Sequence, residues 1–196
     1  MSTAATAEVP ASQQARRERI LDAAVELATE GGYNAVQMRE VADRAGVALG
    51  TLYRYFPSKV NLLVAAMGRT LGQLRDSAAR GNDDPNLAPG ERVYRVVAAV
   101  TRFLARNRRL SGAMLRALMS ADASAAVDVD AVGATLVSII ASAGGEEGAA
   151  SPGRDTLVAH VIGKVWLADV LALLSGRMTV AAVLKDLEHT IDLVMR

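Results

Sequence analysis

Four side chains within nine residues combine hydroxyl groups with a cation. Thr51, Tyr53 and Tyr55 each bring a hydroxyl, and Lys59 follows four residues later. Hydroxyl and ammonium groups are donors that proteins commonly use to bind phosphate oxygens. Lys59 comes directly after Ser58, a good N-cap, so it falls in a first helical turn, where a cation opposes the helix dipole at a cost of about 0.3 kcal/mol or more. A phosphate bound at the same helix end would explain a cation there.

Two short helices must position these side chains. The first has an apolar stripe at positions i, i+3, i+4 and i+7, made of Met38, Val41, Ala42 and Ala45. Gln37 stands at its N-cap position, with Glu40 three residues on, which predicts a weak capping box. Gly46 ends the helix, since a C′ residue often adopts the left-handed conformation. The second helix has Leu52 and Phe56 one turn apart, so both are expected to face inward.

Two short helices joined by about four residues with a glycine have the helix-turn-helix spacing, in which the second helix enters the major groove of DNA. The exposed face of that helix would carry Leu49, Gly50, Tyr53 and Arg54. Gly50 lets the backbone approach bases or phosphates closely. The same geometry also occurs as plain packing, and a first-turn lysine is often a solvated surface charge. The spacing therefore favours DNA binding without establishing it.

A longer motif resembles the signature of TetR-type transcriptional regulators. It reads Gly46-Val47-x-x-Gly50-Thr51-Leu52-Tyr53-x-Tyr55-Phe56-x-x-Lys59, preceded by Arg39-Glu40-Val41-Ala42. The resemblance implies an all-α homodimer of about nine helices, with an N-terminal three-helix DNA-binding domain and a C-terminal domain for ligand binding and dimerisation. The DNA-binding candidates are Gln37, Arg39, Ala48, Leu49, Gly50, Thr51, Tyr53, Arg54, Tyr55 and Lys59.

The sequence departs from the family pattern at two of these candidates. The family often has Thr at the position of Gln37, which leaves that phosphate contact open. It often has Ser at the position of Ala48, where a serine would cap the second helix. The alanine is expected to weaken that cap by about 1 kcal/mol.

Composition limits the function classes. The 196 residues are 51% hydrophobic but only 4% aromatic, so the core must consist mainly of Ala, Val and Leu, and no stretch alternates with period two. Net charge is +1, and the first 80 residues carry 10 Lys and Arg against 8 Asp and Glu. DNA affinity must then come from individually placed contacts and from dimerisation. The sequence has no cysteine, which excludes disulfides and thiolate metal sites.

The expected organisation has three parts. Residues 1–14 are predicted to be a disordered arm, residues 15–60 a helix-turn-helix domain, and residues 61–196 the ligand-binding and dimerisation domain. Helices are expected at about 15–30, 59–80, 91–106, 122–144, 154–175 and 179–195, with a further short helix near Met114. The helix from Lys59 is about 33 Å long and belongs to both domains. Tyr33 is expected to pack beneath the two short helices.

The predicted C-terminal helices carry more apolar faces than one chain can bury. The helix at 154–175 is apolar nearly all round, which predicts cover on both sides. Because symmetric dimers are the commonest assembly, the last two helices are predicted to form a dimer interface. The candidates are Val165, Trp166, Ala172, Leu187, Ile191 and Val194.

An apolar effector pocket is a further prediction. Methionines often line adaptable apolar sites, although a stripe of methionine or aromatic residues at helical spacing is more often part of the ordinary core. The candidates are Met67, Leu71, Phe103, Arg106, Met114, Leu118, Met119, Leu136, Ile140, Trp166 and Asp169. Asp169 needs a partner if buried, and it is expected to serve the pocket, to pair across the dimer or to be solvated. His160 and His189 are too far apart in sequence to predict a metal site.

Residues 31–63, 106–107, 121–126 and 165–167 are similar to a branch of the family that represses cholesterol catabolism in actinobacteria. This resemblance implies a steroid acyl-CoA effector, with Arg102, Arg106, Arg108 or Arg109 available to the CoA group. Other ligand classes, such as fatty acyl-CoA or exported drugs, and effector-independent DNA binding stay open. No catalytic motif is present, so neither an enzyme nor a cofactor is expected. The N-terminus lacks signal-peptide features, and a cytoplasmic protein without membrane partners is expected.

Overall fold

Helices make up nearly all of the chain that can be described. The computed structural model describes residues 11–79, 86–144 and 153–195, and within these ranges it contains nine α-helices and no β-strand. The all-α prediction is confirmed. The helices are α1 (Ala11–Ala35), α2 (Met38–Ala45), α3 (Leu49–Tyr55), α4 (Lys59–Ala79), α5 (Pro89–Arg106), α6 (Arg108–Met119), α7 (Ala126–Gly144), α8 (Arg154–Leu174) and α9 (Val180–Val194), with a 3₁₀ turn at Ala123–Ala125 before α7.

Helix α1 begins earlier than the sequence predicts. Residues 11–14 are helical, so the prediction of disorder is wrong for these four residues. Residues 1–10 lie outside the described chain. Neither glycine nor proline occurs between Pro10 and Gly31, and Gln14 supports the first turns by donating a hydrogen bond to Glu18 one turn on (2.7 Å). Gly32 interrupts the helix, with φ 67° and ψ −158°, and a last turn continues to Ala35.

The turn between α2 and α3 follows the predicted glycine rule. Gly46 is left-handed (φ 64°, ψ 41°), and its N–H bonds back to the carbonyls of Ala42 and Asp43. The predicted capping box is wrong, because Gln37 makes no side-chain cap hydrogen bond. Glutamine is not among the short side chains that cap well, and Glu40 lies 3.9 Å from Arg44.

Helix α4 runs through both parts of the molecule, as predicted. The Ser58 hydroxyl accepts a hydrogen bond from the Asn61 backbone N–H (3.2 Å), which confirms Ser58 as its N-cap. Its 21 residues span about 32 Å. The helix packs on α1, α6 and α7.

The C-terminal helices pack into one core with the first four. The core is rich in alanine, valine and leucine, as composition predicts. Their positions agree with the predicted helices to within four residues, and the largest difference is the start of α7, which a 3₁₀ turn precedes. Helix α8, however, is covered on one face only within the chain, since Ile162, Trp166 and Val170 are buried while Leu157, Val161 and Val165 are exposed.

Candidate DNA-binding surface and effector cavity

The outer face of α2 and α3 is exposed and the inner face is buried. Leu52 and Phe56 are at most 2% exposed and fix α3 against the core. Tyr53 is 46% exposed and Leu49 36% exposed. The DNA-binding candidates that stand exposed are Gln37, Arg39, Ala48, Leu49, Gly50, Tyr53 and Arg54, while Thr51, Tyr55 and Lys59 are half-buried. The arrangement presents the predicted reading face of α3 to solvent.

Arginines of α1 support the two short helices. The Arg17 guanidinium lies over the Phe56 ring, 5.3 Å from its centroid. The Arg19 side chain donates a hydrogen bond to the Ala45 carbonyl (Nε to O, 3.4 Å) at the end of α2. These contacts give both arginines a packing role beside α2 and α3.

Ion pairs join α1 to α2 and to α4. Arg44 donates to Glu30 (2.7 Å), and Arg69 bonds Asp22 (2.7 Å) and Glu18 (3.1 Å). The Glu30 pair is exposed, whereas the Arg69 side chain is only 15% exposed. These ion pairs therefore tie α2 and the middle of α4 to α1.

Lys59 does not point freely into solvent. Its ammonium lies over the Tyr33 ring, 4.0 Å from the centroid, and the Arg116 guanidinium lies over the same ring at 4.4 Å. Burial, and secondarily the positive charge of Arg116, lower the pKa of Lys59 below its ordinary value. A phosphate at the N-terminus of α4 would therefore compete with Tyr33 for this cation.

A small apolar cavity lies between α4, α5, α6, α7 and α8. It encloses about 30 Å³. Five of the predicted ligand residues line it, namely Met67, Leu71, Met114, Leu136 and Trp166. Neighbours that the sequence prediction missed complete it, namely Thr70, Leu74, Leu104, Ser111, Leu115, Leu167, Val170 and Leu174. Helical periodicity marks these residues as inward-facing but does not distinguish cavity lining from filled core.

The other predicted ligand residues lie elsewhere. Met119 is 68% exposed at the end of α6, so its assignment to the pocket is wrong. Phe103 and Leu118 pack against the core outside the cavity lining, and Arg106 is exposed. Ile140 lines a neighbouring space of about 10 Å³ that also touches Leu136 and Trp166.

Asp169 does not line the cavity. Its Oδ2 atom is buried and has no hydrogen-bond partner among the described residues. Burial, and then the carboxylate of Asp186 on α9, raise the pKa of Asp169. The carboxyl group therefore lies between α8 and α9 rather than facing the apolar space.

Two larger clefts lie at the far end of the bundle. One, of about 200 Å³, is mainly apolar and is formed by α5, α7, α8 and α9, with Val93, Ile162 and Val194 in its wall. The other, of about 390 Å³, lies beside it between the start of α5 and the end of α9, and Glu91 and Glu188 stand at its edge. Sequence reasoning missed both, because such spaces depend on how helix ends meet.

The exposed apolar face of α8 is the best candidate for a partner surface. Leu157, Val161 and Val165 are 60%, 46% and 39% exposed, and Ala168 and Ala172 continue the same face. Predicted interface residues Trp166, Leu187 and Ile191 are at most 4% exposed within their own chain, so they are not available to a partner and that part of the prediction is wrong. Val194, a sixth candidate, faces the 200 Å³ cleft.

Neither metal binding nor membrane insertion has strong support. No group of three metal-binding side chains occurs in the part of the chain that the structure describes. The segments Ala123–Gly144 and Thr156–Leu174 are long and apolar enough to span a membrane. Core helices of soluble proteins meet the same criterion, so this is weak evidence for membrane insertion.

Comparisons with known proteins agree with this geometry. Residues 20–66 match the family model for bacterial regulatory proteins of the tetR family, and residues 87–194 match the tetracyclin repressor-like C-terminal domain. The chain is 47% identical to the HTH-type transcriptional repressor KstR of Rhodococcus jostii over 185 residues, which is 94% of this chain and 84% of that protein.

Solved structures show the same fold. A TetR transcriptional regulator from Rhodococcus sp. RHA1 aligns with TM-score 0.82 and 36% identity over 93% of this chain and 97% of the other. Thermus thermophilus FadR, solved in complex with lauroyl-CoA, aligns with TM-score 0.69 and 23% identity over 91% and 93% of the two chains. With its exposed α3 face on a helix-turn-helix and both parts of the chain matched, this protein belongs to the TetR family of bacterial transcriptional regulators.

Proposed function

We propose that this protein is a homodimeric, cytoplasmic repressor that binds palindromic operator DNA and is released by a hydrophobic effector, a sterol-derived acyl-CoA. It would control genes of steroid catabolism. The observation that carries the proposal is the exposed α3 face of a helix-turn-helix in a chain 47% identical to the repressor KstR. The repressor role and the steroid effector come from that similarity and from the family branch that it implies.

DNA contacts are assigned to the exposed side of α2 and α3. Tyr53 and Arg54 reach the groove, and Gln37 and Lys59 meet phosphates at two helix N-termini. The exposed apolar face of α8 supports dimerisation, because a dimer would cover Leu157, Val161 and Val165. In a dimer the two α3 helices would read half-sites about 34–36 Å apart.

The effector would occupy the apolar cavity beside Met114 and Trp166. At about 30 Å³ the cavity is far below the roughly 300 Å³ or more of typical ligand sites, so binding must enlarge it. The flexible side chains of Met67 and Met114 suit such an expansion. Arg102 and Arg106, exposed on α5, are available to the phosphates of a CoA group. The fold itself can hold an acyl-CoA, since FadR was solved with one.

A second candidate function is DNA binding without an effector. The observation that favours it is the same near-filled cavity, because a core with about 30 Å³ of space has little room for a sterol. Adding the ligand to the protein–DNA complex distinguishes the two functions, since only an effector-responsive protein releases the DNA.

The direct test is a mobility shift with the DNA upstream of the protein's own gene, compared with an unrelated duplex. Specific binding should weaken steeply as salt rises, and the CoA thioester of a cholesterol-derived side-chain acid should release the DNA. Lauroyl-CoA and free CoA are the ligand controls. Release by lauroyl-CoA alone would indicate a fatty acyl-CoA effector, and no release by any thioester would exclude this ligand class.

Lys59→Ala tests the phosphate contact. It should weaken binding to specific and unrelated duplexes by a similar factor and reduce the slope of log K against log salt by about 0.9. Arg95→Ala on α5 removes one positive charge from an exposed pair with Glu91 and serves as the control. If the two variants bind alike, Lys59 is not in the DNA site.

A further inference from the structure

One aromatic ring joins the start of α4 to α6. Tyr33 stands just after the break in α1 at Gly32, and both Lys59 and Arg116 place their cationic groups over its ring, at 4.0 Å and 4.4 Å. Lys59 is the first residue of α4 and Arg116 lies near the end of α6. The ring therefore links a proposed phosphate-binding residue to a helix of the C-terminal part.

Two opposing forces act on the Lys59 ammonium in this arrangement. The electron-rich face of Tyr33 attracts the cation. Burial and the positive charge of Arg116 disfavour the charged form of Lys59, and both lower its pKa. The ammonium is thus held by the ring in a place that disfavours its charge, so transfer to a phosphate would relieve both the burial and the repulsion.

Helix α6 contacts the proposed effector space on its other side. Ser111, Met114 and Leu115 line the central cavity. On the opposite side, Arg109 donates a hydrogen bond to the Glu30 carbonyl (2.7 Å) near the end of α1. A ligand that enlarges the cavity must displace residues next to Arg116 along the same rigid helix.

We propose that Tyr33 and Arg116 are positioning residues that control the access of Lys59 to a DNA phosphate. The Tyr33 ring retains the ammonium in the free protein, and the charge of Arg116 favours its transfer to the phosphate. When α6 shifts and carries Arg116 away, Lys59 stays on the ring and DNA affinity falls. This inference rests on the proposed function, because it assumes a phosphate contact by Lys59 and an effector acting through α6.

The main test removes the charge of Arg116, which is exposed and therefore tolerant of substitution. Arg116→Gln should weaken binding to the upstream DNA about two- to fivefold without any ligand, since exposed cation–aromatic and charge contacts are of that size. Arg116→Lys should keep wild-type affinity because it keeps the charge. Arg95→Gln, which removes an equal charge away from the ring, is the matched control.

A double-mutant cycle separates positioning from a general charge effect. In the Lys59→Ala background, Arg116→Gln should have no further effect on DNA affinity, because the residue it acts through is gone. Equal losses from Arg116→Gln with and without Lys59, or equal losses from Arg116→Gln and Arg95→Gln, would overturn the inference.

Substitutions of the ring give a second readout. Tyr33→Phe keeps the aromatic face and should behave as wild type, whereas Tyr33→Leu should reduce the fold-change in DNA affinity caused by the steroid thioester. If the steroid thioester changes the DNA affinity of Tyr33→Leu as much as that of the wild type, the inference is overturned. Absence of specific DNA binding in the unmodified protein would instead contradict the proposed function, so the two failures are distinguishable.

Discussion

The side-chain amide of Asn61 donates a hydrogen bond to the backbone carbonyl of Ser124, with 3.0 Å between Nδ2 and O. Asn61 is in the first turn of α4 and is 3% exposed, while Ser124 lies in the 3₁₀ turn between α6 and α7. The Ser58 hydroxyl donates to the other end of the same amide, Oδ1, at 2.6 Å. One buried side chain therefore connects the DNA-proximal end of α4 with the C-terminal helices.

We expect Asn61→Ala to destabilise the protein. The substitution removes the side-chain donor to the Ser124 carbonyl and leaves polar groups unpaired, which costs about 1–3 kcal/mol. About 2–4 °C of melting temperature is lost per kcal/mol in a chain of this size. Asn34→Ala, at an exposed position near the end of α1, is the control for thermal denaturation. Equal melting temperatures for the two variants would contradict a structural role for this bond.

Local rules made the helix-turn-helix predictable. Gly46 needs a left-handed backbone and Leu52 and Phe56 must face inward, and these requirements follow from residue type and spacing alone. The interface residues on α9 were not predictable in this way. Leu187 and Ile191 belong to a broad apolar stripe. Helical periodicity does not tell which edge of such a stripe packs on the chain's own core and which edge contacts a partner.

Contacts between residues that are far apart in the sequence could not be predicted from it either. The sequence predicts that Tyr33 packs beneath α2 and α3, but the position of its ring beside Lys59 and Arg116 depends on how α1, α4 and α6 meet. The same holds for Asn61 and Ser124, which are 63 residues apart. Side-chain volumes from five helices determine the central cavity, so periodicity could nominate candidates for its wall but could not give its size.

Thr101→Val should destabilise the core around Trp166. The indole Nε1–H donates to the Thr101 hydroxyl (2.8 Å), and both residues are buried. Valine removes the acceptor and leaves the indole donor unpaired, at a cost of about 1–3 kcal/mol. Thermal denaturation should therefore show a lower melting temperature.

The matched control is Thr135→Val on α7. Thr135 makes the same hydrogen bond to the carbonyl four residues earlier as Thr101 does, both at 2.8 Å, but no side chain depends on its hydroxyl as an acceptor in the described contacts. A melting temperature for Thr101→Val that matches Thr135→Val would show that the bond to Trp166 contributes little.

Val165→Glu should separate the proposed dimer. The residue lies in the exposed apolar stripe of α8, and a carboxylate buried between two copies without a partner would be strongly unfavourable. Light scattering should then report one 20.6 kDa chain instead of two, and operator affinity should fall with it. Val127→Glu places the same charge on a valine of α7 that is 83% exposed and is the control. A Val165→Glu protein that stays dimeric would move the interface away from this stripe.

Asp169→Asn should stabilise the protein near neutral pH. Because burial and the Asp186 carboxylate raise the pKa of Asp169, the folded state binds its proton more tightly than the unfolded chain. The charged carboxyl thus lowers stability above its raised folded pKa, and this penalty disappears as pH falls from that pKa towards the ordinary carboxyl value of about 3.9. Asparagine cannot ionise, so its gain in melting temperature should be largest at neutral pH and should shrink on acidification. Asp130→Asn, exposed on α7, is the control. A lower melting temperature of Asp169→Asn at neutral pH would show that the native protein stabilises the charged carboxylate and would contradict the penalty from burial and Asp186.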